Sequence, residues 1–372
     1  MKICLNMIVK NEASVILRCL DALKDIIDAV IVSDTGSEDN TVEIIRDWIK
    51  DNHKIGTVVE HGWENFAHNR NLALQSCREF IQDKKGIWYA LVMDADDYLV
   101  IEDKKIFLEQ IRKPDKDKYL IDMKCESVTY ARSFLYKLTD INWKWKYVLH
   151  ESCQPDRRIT TAKLKYAYIQ VSREGNRSSD PLKYLRDILT LEQGLLQEPD
   201  NSRYMFYLAQ SYRDFKDYKK AEKLYLKRFN YKQYDEERYI SILEAAKCRM
   251  LRGKSDHKME RYLQQAFNFR PSRLEAPYYL IQYYRLNNLF MVGYCIGKSL
   301  LETPYPEDIL FVDHEIHTWK FKDELAICAC WVGDIKLFET LYKQILKLDI
   351  SEKDKIRMES DLNRFGTHKS TR

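Results

Sequence analysis

The sequence predicts an α/β domain with a Rossmann-like, mostly parallel sheet over residues 1–178, followed by an all-α helical-repeat domain over residues 179–372. Three observations carry this reading. Apolar runs alternate with amphipathic helical segments in the first half, the strand signals stop near residue 178, and long helical stretches rich in Tyr, Leu, Lys and Glu follow. Alternation of strand and helix implies a parallel sheet covered on both faces.

The elements follow in order. Ile3 to Val9 reads as a strand, and Ala13 to Ala22 as a helix with Val15, Ile16, Cys19, Leu20 and Leu23 on one face. Ala29 to Ser33 is a second strand, Thr41 to Ile49 a second helix and Gly56 to Glu60 a third strand. Phe66 to Ile81 is a third helix and Trp88 to Met93 a fourth strand. Polar clusters sit just after the strands, where open α/β sheets bind ligands. In the second half, Leu208, Ala209, Tyr212, Ala221 and Tyr225 have the spacing of a tetratricopeptide repeat, a helix pair of about 34 residues. Small residues let the two helices approach, and aromatics fill the groove between them. Ala266 and Pro271, then Leu280, Ile281, Tyr284, Gly293 and Gly297, repeat parts of that pattern, while Leu325 to Leu348 reads as a helical cap. An ordinary helical bundle is the alternative.

Composition bounds the function classes. The chain has 372 residues with 45% hydrophobic and 12% aromatic content, which is a folding composition. Its 61 basic and 57 acidic side chains give a net charge of +4, too even for bulk nucleic-acid binding. Nine cysteines show no CxxC pair, so reduced thiols and a cytoplasmic setting are expected. No apolar stretch is long enough for a transmembrane segment. GxGxxG, GxxxxGK[ST], GxSxG and HExxH are absent, which leaves dinucleotide redox chemistry, P-loop hydrolysis, serine hydrolysis and zincin chemistry unsupported.

Five clusters carry candidate chemistry. Asp94, Asp96 and Asp97 follow the fourth strand within about one turn of chain. Their repulsion asks for a cation, and an oxygen-only set suits Mg2+ or Mn2+ bridging a phosphate. The alternative is a solvated turn. Asp34 and Gly36 lie in the Ser33–Thr41 turn, where Asp34 could accept hydrogen bonds from a base or ribose; Ser37 or Asp39 would cap the following helix, which leaves Asp34 unexplained. Asn11 and Glu12 end the first strand. Arg70 sits at the start of the third helix, where it could pair with a diphosphate. The run Trp143 to Glu151 alternates aromatics with lysines and ends in His150-Glu151, an aromatic wall suited to stacking on a sugar or base.

Taken in order, MIVKNE, VSDTGSEDNT, AHNRNLAL and LVMDADDYL resemble family 2 glycosyltransferases of the GT-A fold. The later KWKYVLHE and the helical tail look like the subgroup that joins this catalytic domain to tetratricopeptide repeats. The resemblance implies inverting transfer from a nucleotide-sugar donor, a UDP-sugar first, to a hydroxyl on a glycan or protein acceptor. It implies that Asp34 contacts the uridine or ribose and Arg70 the base or diphosphate. Asp94 and Asp96 match the D-x-D that holds metal and donor phosphates, and Arg132 adds charge at the diphosphate. Glu151 is the candidate general base, Asp97 the second choice, and His150 a possible metal or phosphate ligand. The first domain is short for a complete GT-A domain, so the helical domain or a second subunit would complete the acceptor site; a homodimer or protein partner would dock on the repeats. Two rivals are open. A phosphatase of the haloacid dehalogenase type also uses D-x-D, but on its first strand and without a residue such as Tyr98 after it. A repeat scaffold with an inactive glycosyltransferase-like domain would bind peptides and lack turnover.

Overall fold

Lys2–Val9 is buried on both faces along almost its whole length, and it forms the central strand, β1. The computed structural model describes residues 1–112, 115–172 and 174–366. After β1 come α1 (Ile16–Leu23), β2 (Ala29–Asp34), α2 (Thr41–Asp51), β3 (Ile55–Glu60), α3 (Phe66–Ile81) and β4 (Trp88–Val92). Then follow β5 (Tyr98–Ile101), α4 (Lys104–Arg112), β6 (Lys118–Cys125), β7 (Val128–Lys137), β8 (Lys144–Lys146), β9 (Ser152–Gln154) and β10 (Thr161–Gln170). The strand order is β3-β2-β1-β4-β7-β6-β10-β5, with β8 and β9 pairing separately. β3, β2, β1 and β4 run parallel, β7 is antiparallel to β4, β6 is antiparallel to β7, and β10 is parallel to β6. This is the α/β GT-A arrangement that the sequence predicts: the parallel half brings the carboxyl ends of β1, β2 and β4 to one edge.

Two apolar cores cover the sheet. On one face Ile3, Leu5, Met7 and Val9 pack with Leu20 and Leu23 of α1, Ile45 and Trp48 of α2, and Phe107 and Ile111 of α4. On the other, Cys4 packs with Leu74 and Cys77 of α3 and with Trp88, Tyr136, Trp143 and Trp145. Asn6 is the polar residue on that second face, and its amide is buried only because it donates to the Ala73 carbonyl of α3 at 2.7 Å. α3 begins where it does because Asn65 accepts from the His68 backbone N–H at 2.9 Å.

A short 3-10 turn (Asn176–Ser179) leads to α5 (Lys183–Gln197) and α6 (Ser202–Asp214). The chain divides into two compact units, Met1–Tyr207 and Leu208–Arg372, so α5 and the first turns of α6 group with the sheet rather than leaving it at the composition change near residue 178. Within this stretch α5 packs closely on α6: a Cβ on Gly194 would stand 3.1 Å from the Tyr204 ring.

The second unit is helical: the rest of α6, then α7 (Tyr218–Phe229), α8 (Asp235–Leu251), α9 (His257–Phe269), α10 (Glu275–Leu286) and α11 (Phe290–Ser299). A π-turn (Ile316–Lys320) precedes α12 (Phe321–Val332), α13 (Ile335–Ile345) and α14 (Glu352–Phe365). Leu208, Ala209, Tyr212, Ala221 and Tyr225 are all buried, as the repeat spacing predicts. Gly293 lies between the two helices of its pair as the sequence reading places it, since a Cβ there would stand 3.4 Å from Ile281 of α10, but it also faces α12, at 2.9 Å from Cys328. Gly297 departs from that reading: its absent Cβ would lie 2.7 Å from Leu325, so α11 uses it to approach α12 of the next pair. All nine cysteines are free. Among the described residues no helix is long and apolar enough to cross a membrane.

Candidate active site

Parallel pairing sets Val9 beside Asp34 and Asn6 beside Val92, so the polar residues that follow each strand share one edge. At the end of β2, Asp34 Oδ2 accepts from the backbone N–H groups of Gly36 and Ser37, each at 3.0 Å, and Oδ1 accepts from Ser37 Oγ at 2.5 Å. Gly36 has φ of +99°, a conformation that L side chains rarely adopt. Asp34 therefore shapes the turn itself, a role the sequence left unassigned, while Asp39 accepts from Thr41 as expected. Asn11 (φ +56°) closes the turn from the other side: its N–H donates to Ser37 Oγ at 2.9 Å and its Oδ1 accepts from Glu38 N–H at 2.7 Å. The Glu12 N–H donates to Thr41 Oγ1 at 2.8 Å.

The end of β4 carries the charged centre. Asp94 Oδ1 accepts from Arg70 Nη2 at 2.6 Å and Oδ2 from Arg132 Nη1 at 2.5 Å. Arg70 also donates through Nε to Glu151 and stands over the Trp145 ring. Two guanidinium groups and two carboxylates thus close one network. Arg70 and Glu151 are buried in it, with side chains 6% and 8% exposed. For Asp94, burial is the largest influence and favours the neutral acid, yet Arg132 and Arg70 overrule it and hold the pKa well below the usual carboxylate range. Glu151 follows the same logic: burial opposes its charge, Arg70 and Arg132 restore it, and the net pKa is lowered. The repulsion expected within the acidic cluster is relieved by arginines supplied from α3 and β7.

The remaining carboxylates are not relieved in this way. Burial, followed by Asp94 and Asp96, pushes Asp97 up to about 8. Burial, opposed by a hydrogen bond from the Asn176 N–H and aided by Asp96, Asp39 and Asp94, pushes Glu12 up to about 7. Asp96 Oδ2 accepts from the Gly175 N–H at 3.2 Å, and a Cβ on Gly175 would stand 2.9 Å from that oxygen. Arg18 secures the same corner, donating through Nη2 to the Asp96 carbonyl and to Ser172 Oγ, each at 2.9 Å. Arg18, Ser172 and Gly175 carried no motif in the sequence; only a fold that returns residue 172 to the end of β4 brings them here.

The His150-Glu151 segment differs from expectation. Only Lys144–Lys146 is a strand, and Trp143 and Trp145 point into the core against Tyr136, with ring centroids at 5.1 and 5.8 Å. The alternation is real, but the lysines face outward, so the expected aromatic wall is not presented to a ligand. Asn71 of α3 fixes this strand by exchanging two hydrogen bonds with the Trp145 backbone, at 2.8 and 3.0 Å. His150 lies at the surface with its ring stacked on Tyr207, at 3.8 Å between centroids. Its stacking on Tyr207 covers one face of the ring, and this desolvation, opposed by Glu151, lowers its pKa, so the ring is neutral at physiological pH.

The sequence expects Asp94, Asp96 and His150 as metal ligands. Among the described residues no three His, Cys, Asp or Glu side chains are grouped to hold an ion, and both Asp94 oxygens are taken by arginines. That ligand set is not assembled. Glu12, Asp96 and Asp97 are the carboxylates that stand outside the balanced network of Arg70, Arg132, Asp94 and Glu151.

Polar strand ends on one edge of a mostly parallel sheet, with arginines held against carboxylates, define a ligand-binding α/β domain. Comparison with known proteins gives its family: residues 4–149 match the family described as Glycosyl transferase family 2, so this segment is a family 2 glycosyltransferase domain. A TPR repeat-containing protein of Synechococcus elongatus is 31% identical over 136 residues, 35% of this chain and 30% of that protein; the chain thus spans about a third of this relative's length. S. aureus TarS 1–349 is similar at 18% identity over 84% of this chain and 95% of that one, with a TM-score of 0.35. A thermophilic TPR protein of Thermus thermophilus is similar at 16% identity over 49% and 91%, with a TM-score of 0.34.

Proposed function

We propose that the chain is an inverting glycosyltransferase that moves a sugar from a nucleotide-sugar donor, a UDP-sugar first, to a hydroxyl group on a glycan or protein. The observation that carries the reading is the Arg70–Asp94–Arg132–Glu151 network at the strand ends of a family 2 glycosyltransferase domain. Arg70, which is buried, and Arg132, which is half-buried, are already seated on carboxylate oxygens and so are preorganised for the oxygens of a diphosphate. In this reading the donor diphosphate replaces the carboxylates on Arg70 and Arg132, while the Asn11, Asp34 and Gly36 turn receives the nucleoside.

That exchange has a consequence for the base. Glu151 is a weak base while Arg70 holds it, since its pKa is lowered by that pairing. Once the diphosphate draws on Arg70, burial raises the Glu151 pKa, and the carboxylate becomes able to take the acceptor proton as the hydroxyl attacks the anomeric carbon. Asp97, raised to about 8 but only 4% exposed, is the second candidate base. Asp96 is the carboxylate we assign to a divalent cation, Mn2+ or Mg2+, which when bound supplies Lewis-acid stabilisation of the leaving nucleoside diphosphate. His150, neutral and at the surface, is available to a phosphate oxygen only as a hydrogen-bond donor. The helical repeats are the assigned surface for a protein partner or a second copy of the chain.

Release of nucleoside diphosphate from a panel of UDP-, GDP- and CMP-sugars, with Mn2+ or Mg2+ and with chelator, tests this reading. Metal-dependent release from one nucleotide class supports it. If no donor is bound or cleaved under any condition, the scaffold alternative takes its place.

A further inference from the structure

The turn that carries His150 and Glu151 is held in an uncommon backbone shape. Tyr147 has φ of +78° and His150 of +52°, and neither is a glycine. Such conformations persist only where surrounding contacts over-determine them, and they gather at functional sites. Here the contacts come from α6, beyond the segment that matches the glycosyltransferase family.

Three residues at the start of α6 make them. The Tyr204 hydroxyl accepts from the Val148 N–H at 3.2 Å, and its ring meets Tyr147 edge-on at 5.7 Å. Arg203 Nε donates to the His150 carbonyl at 3.0 Å, with its guanidinium over both the Tyr147 and Tyr207 rings. Tyr207 lies parallel to the His150 imidazole, at 9° between planes. Every residue from 147 to 150 except Leu149 is thereby gripped, and Leu149 is buried. The grip fixes where the next residue, Glu151, meets Arg70.

We propose that Arg203, Tyr204 and Tyr207 are positioning residues for Glu151, so that the transferase site is complete only when the chain extends through the first turns of α6. The proposal rests on the reading of Glu151 as the base. A carboxylate displaced by even part of an ångström from the attacking hydroxyl loses rate in the chemical step and not in donor binding.

The test uses the full chain, the donor found active in the panel, and four variants. Tyr207→Leu removes the flat ring under His150 and is expected to lower kcat about tenfold while donor KM stays within about twofold. Tyr207→Phe keeps the stacking surface and should restore kcat. Tyr204→Phe removes only the acceptor for Val148 N–H and should lower kcat about threefold, again without a change in KM. Equal changes in kcat and KM, an unchanged kcat in Tyr207→Leu, or failure of Tyr207→Phe to restore it would each overturn the proposal. If Tyr207→Leu does not fold, the split between kcat and KM in Tyr204→Phe decides. Glu151→Gln separates the two layers. Loss of kcat there with intact tyrosine variants overturns the positioning role alone, while retained kcat overturns the base assignment and this proposal with it.

Discussion

Arg70→Met isolates the interaction on which the charged centre depends. The substitution keeps much of the apolar stem over Trp145 but removes the guanidinium from Glu151 and Asp94. Glu151 is then a carboxylate with its side chain 8% exposed and its nearest cation gone, whereas Asp94, 37% exposed, keeps Arg132. Removing one partner of a buried pair costs about 3 kcal/mol or more, most of it the uncompensated desolvation of the charge left behind. For a unit of this size that is a fall in Tm of about 6–12 °C near neutral pH. The pH dependence has a definite sign. The folded pKa of Glu151 lies below its ordinary 4.5, so its contribution is present above that value and is lost as pH falls through the folded pKa. In the variant, burial raises the Glu151 pKa, so the acid protonates earlier and the gap from the wild type narrows on acidification. Glu151→Gln in the Arg70→Met background should recover about 1–2 kcal/mol, because a neutral amide is cheaper to bury than an orphaned charge. Thermal unfolding from about pH 4 to pH 7 reads all of this. A gap that is the same across that range, or a double variant no more stable than the single one, would mean that Arg70 does not hold the Glu151 charge.

Two further outcomes follow from the same corner of the fold. Asp97 binds a proton in the folded state up to about pH 8 that the unfolded chain releases near 3.8, so stability falls as pH rises through that window; Asp97→Asn should therefore gain about 1–2 kcal/mol on the wild type between about pH 5 and pH 8, measured by urea unfolding, and a constant difference would contradict the burial argument. Gly175→Ala places a methyl group 2.9 Å from Asp96 Oδ2 and should weaken metal-dependent turnover about tenfold with a Tm change under about 2 °C; unchanged turnover would mean that Gly175 does not set the Asp96 position.

Much of the parallel half of the sheet is legible in the chain because those strands are buried on both faces and read as unbroken apolar runs. Ala29–Asp34 and Trp88–Val92 are buried at every position, and the helix read from the sequence as Phe66 to Ile81 has those bounds. The other half is not legible. β7 is partly exposed over its first six residues and buried over the next three, so neither a continuous run nor a clean alternation marks it. Alternation in Trp143–Lys146 shows that one face is buried without saying which, and the tryptophans proved to be the inward set. In the acidic cluster the carboxylates are visible as a motif, but their partners are not: Arg70 lies 24 residues before Asp94 and Arg132 lies 38 after it. Asp34 shows the limit most clearly. Its position in the motif was plain, yet only the folded turn reveals that its carboxylate holds the backbone of Gly36 and Ser37. The α6 contacts to Val148 and His150 join residues more than fifty positions apart, between segments that share no pattern.

In the proposed function Arg70 and Arg132 serve a donor diphosphate and exchange Asp94 and Glu151 for it. The most direct measurement of this exchange is the affinity of the nucleoside diphosphate, from the class that the donor panel identifies, for the wild type and for Arg132→Met in the presence of Mn2+. The wild type is expected to bind, and Arg132→Met to bind at least about tenfold more weakly, since a charge-assisted contact at a half-buried arginine is lost. Equal affinity in the two proteins, or no binding of any nucleoside diphosphate to the wild type, would contradict it.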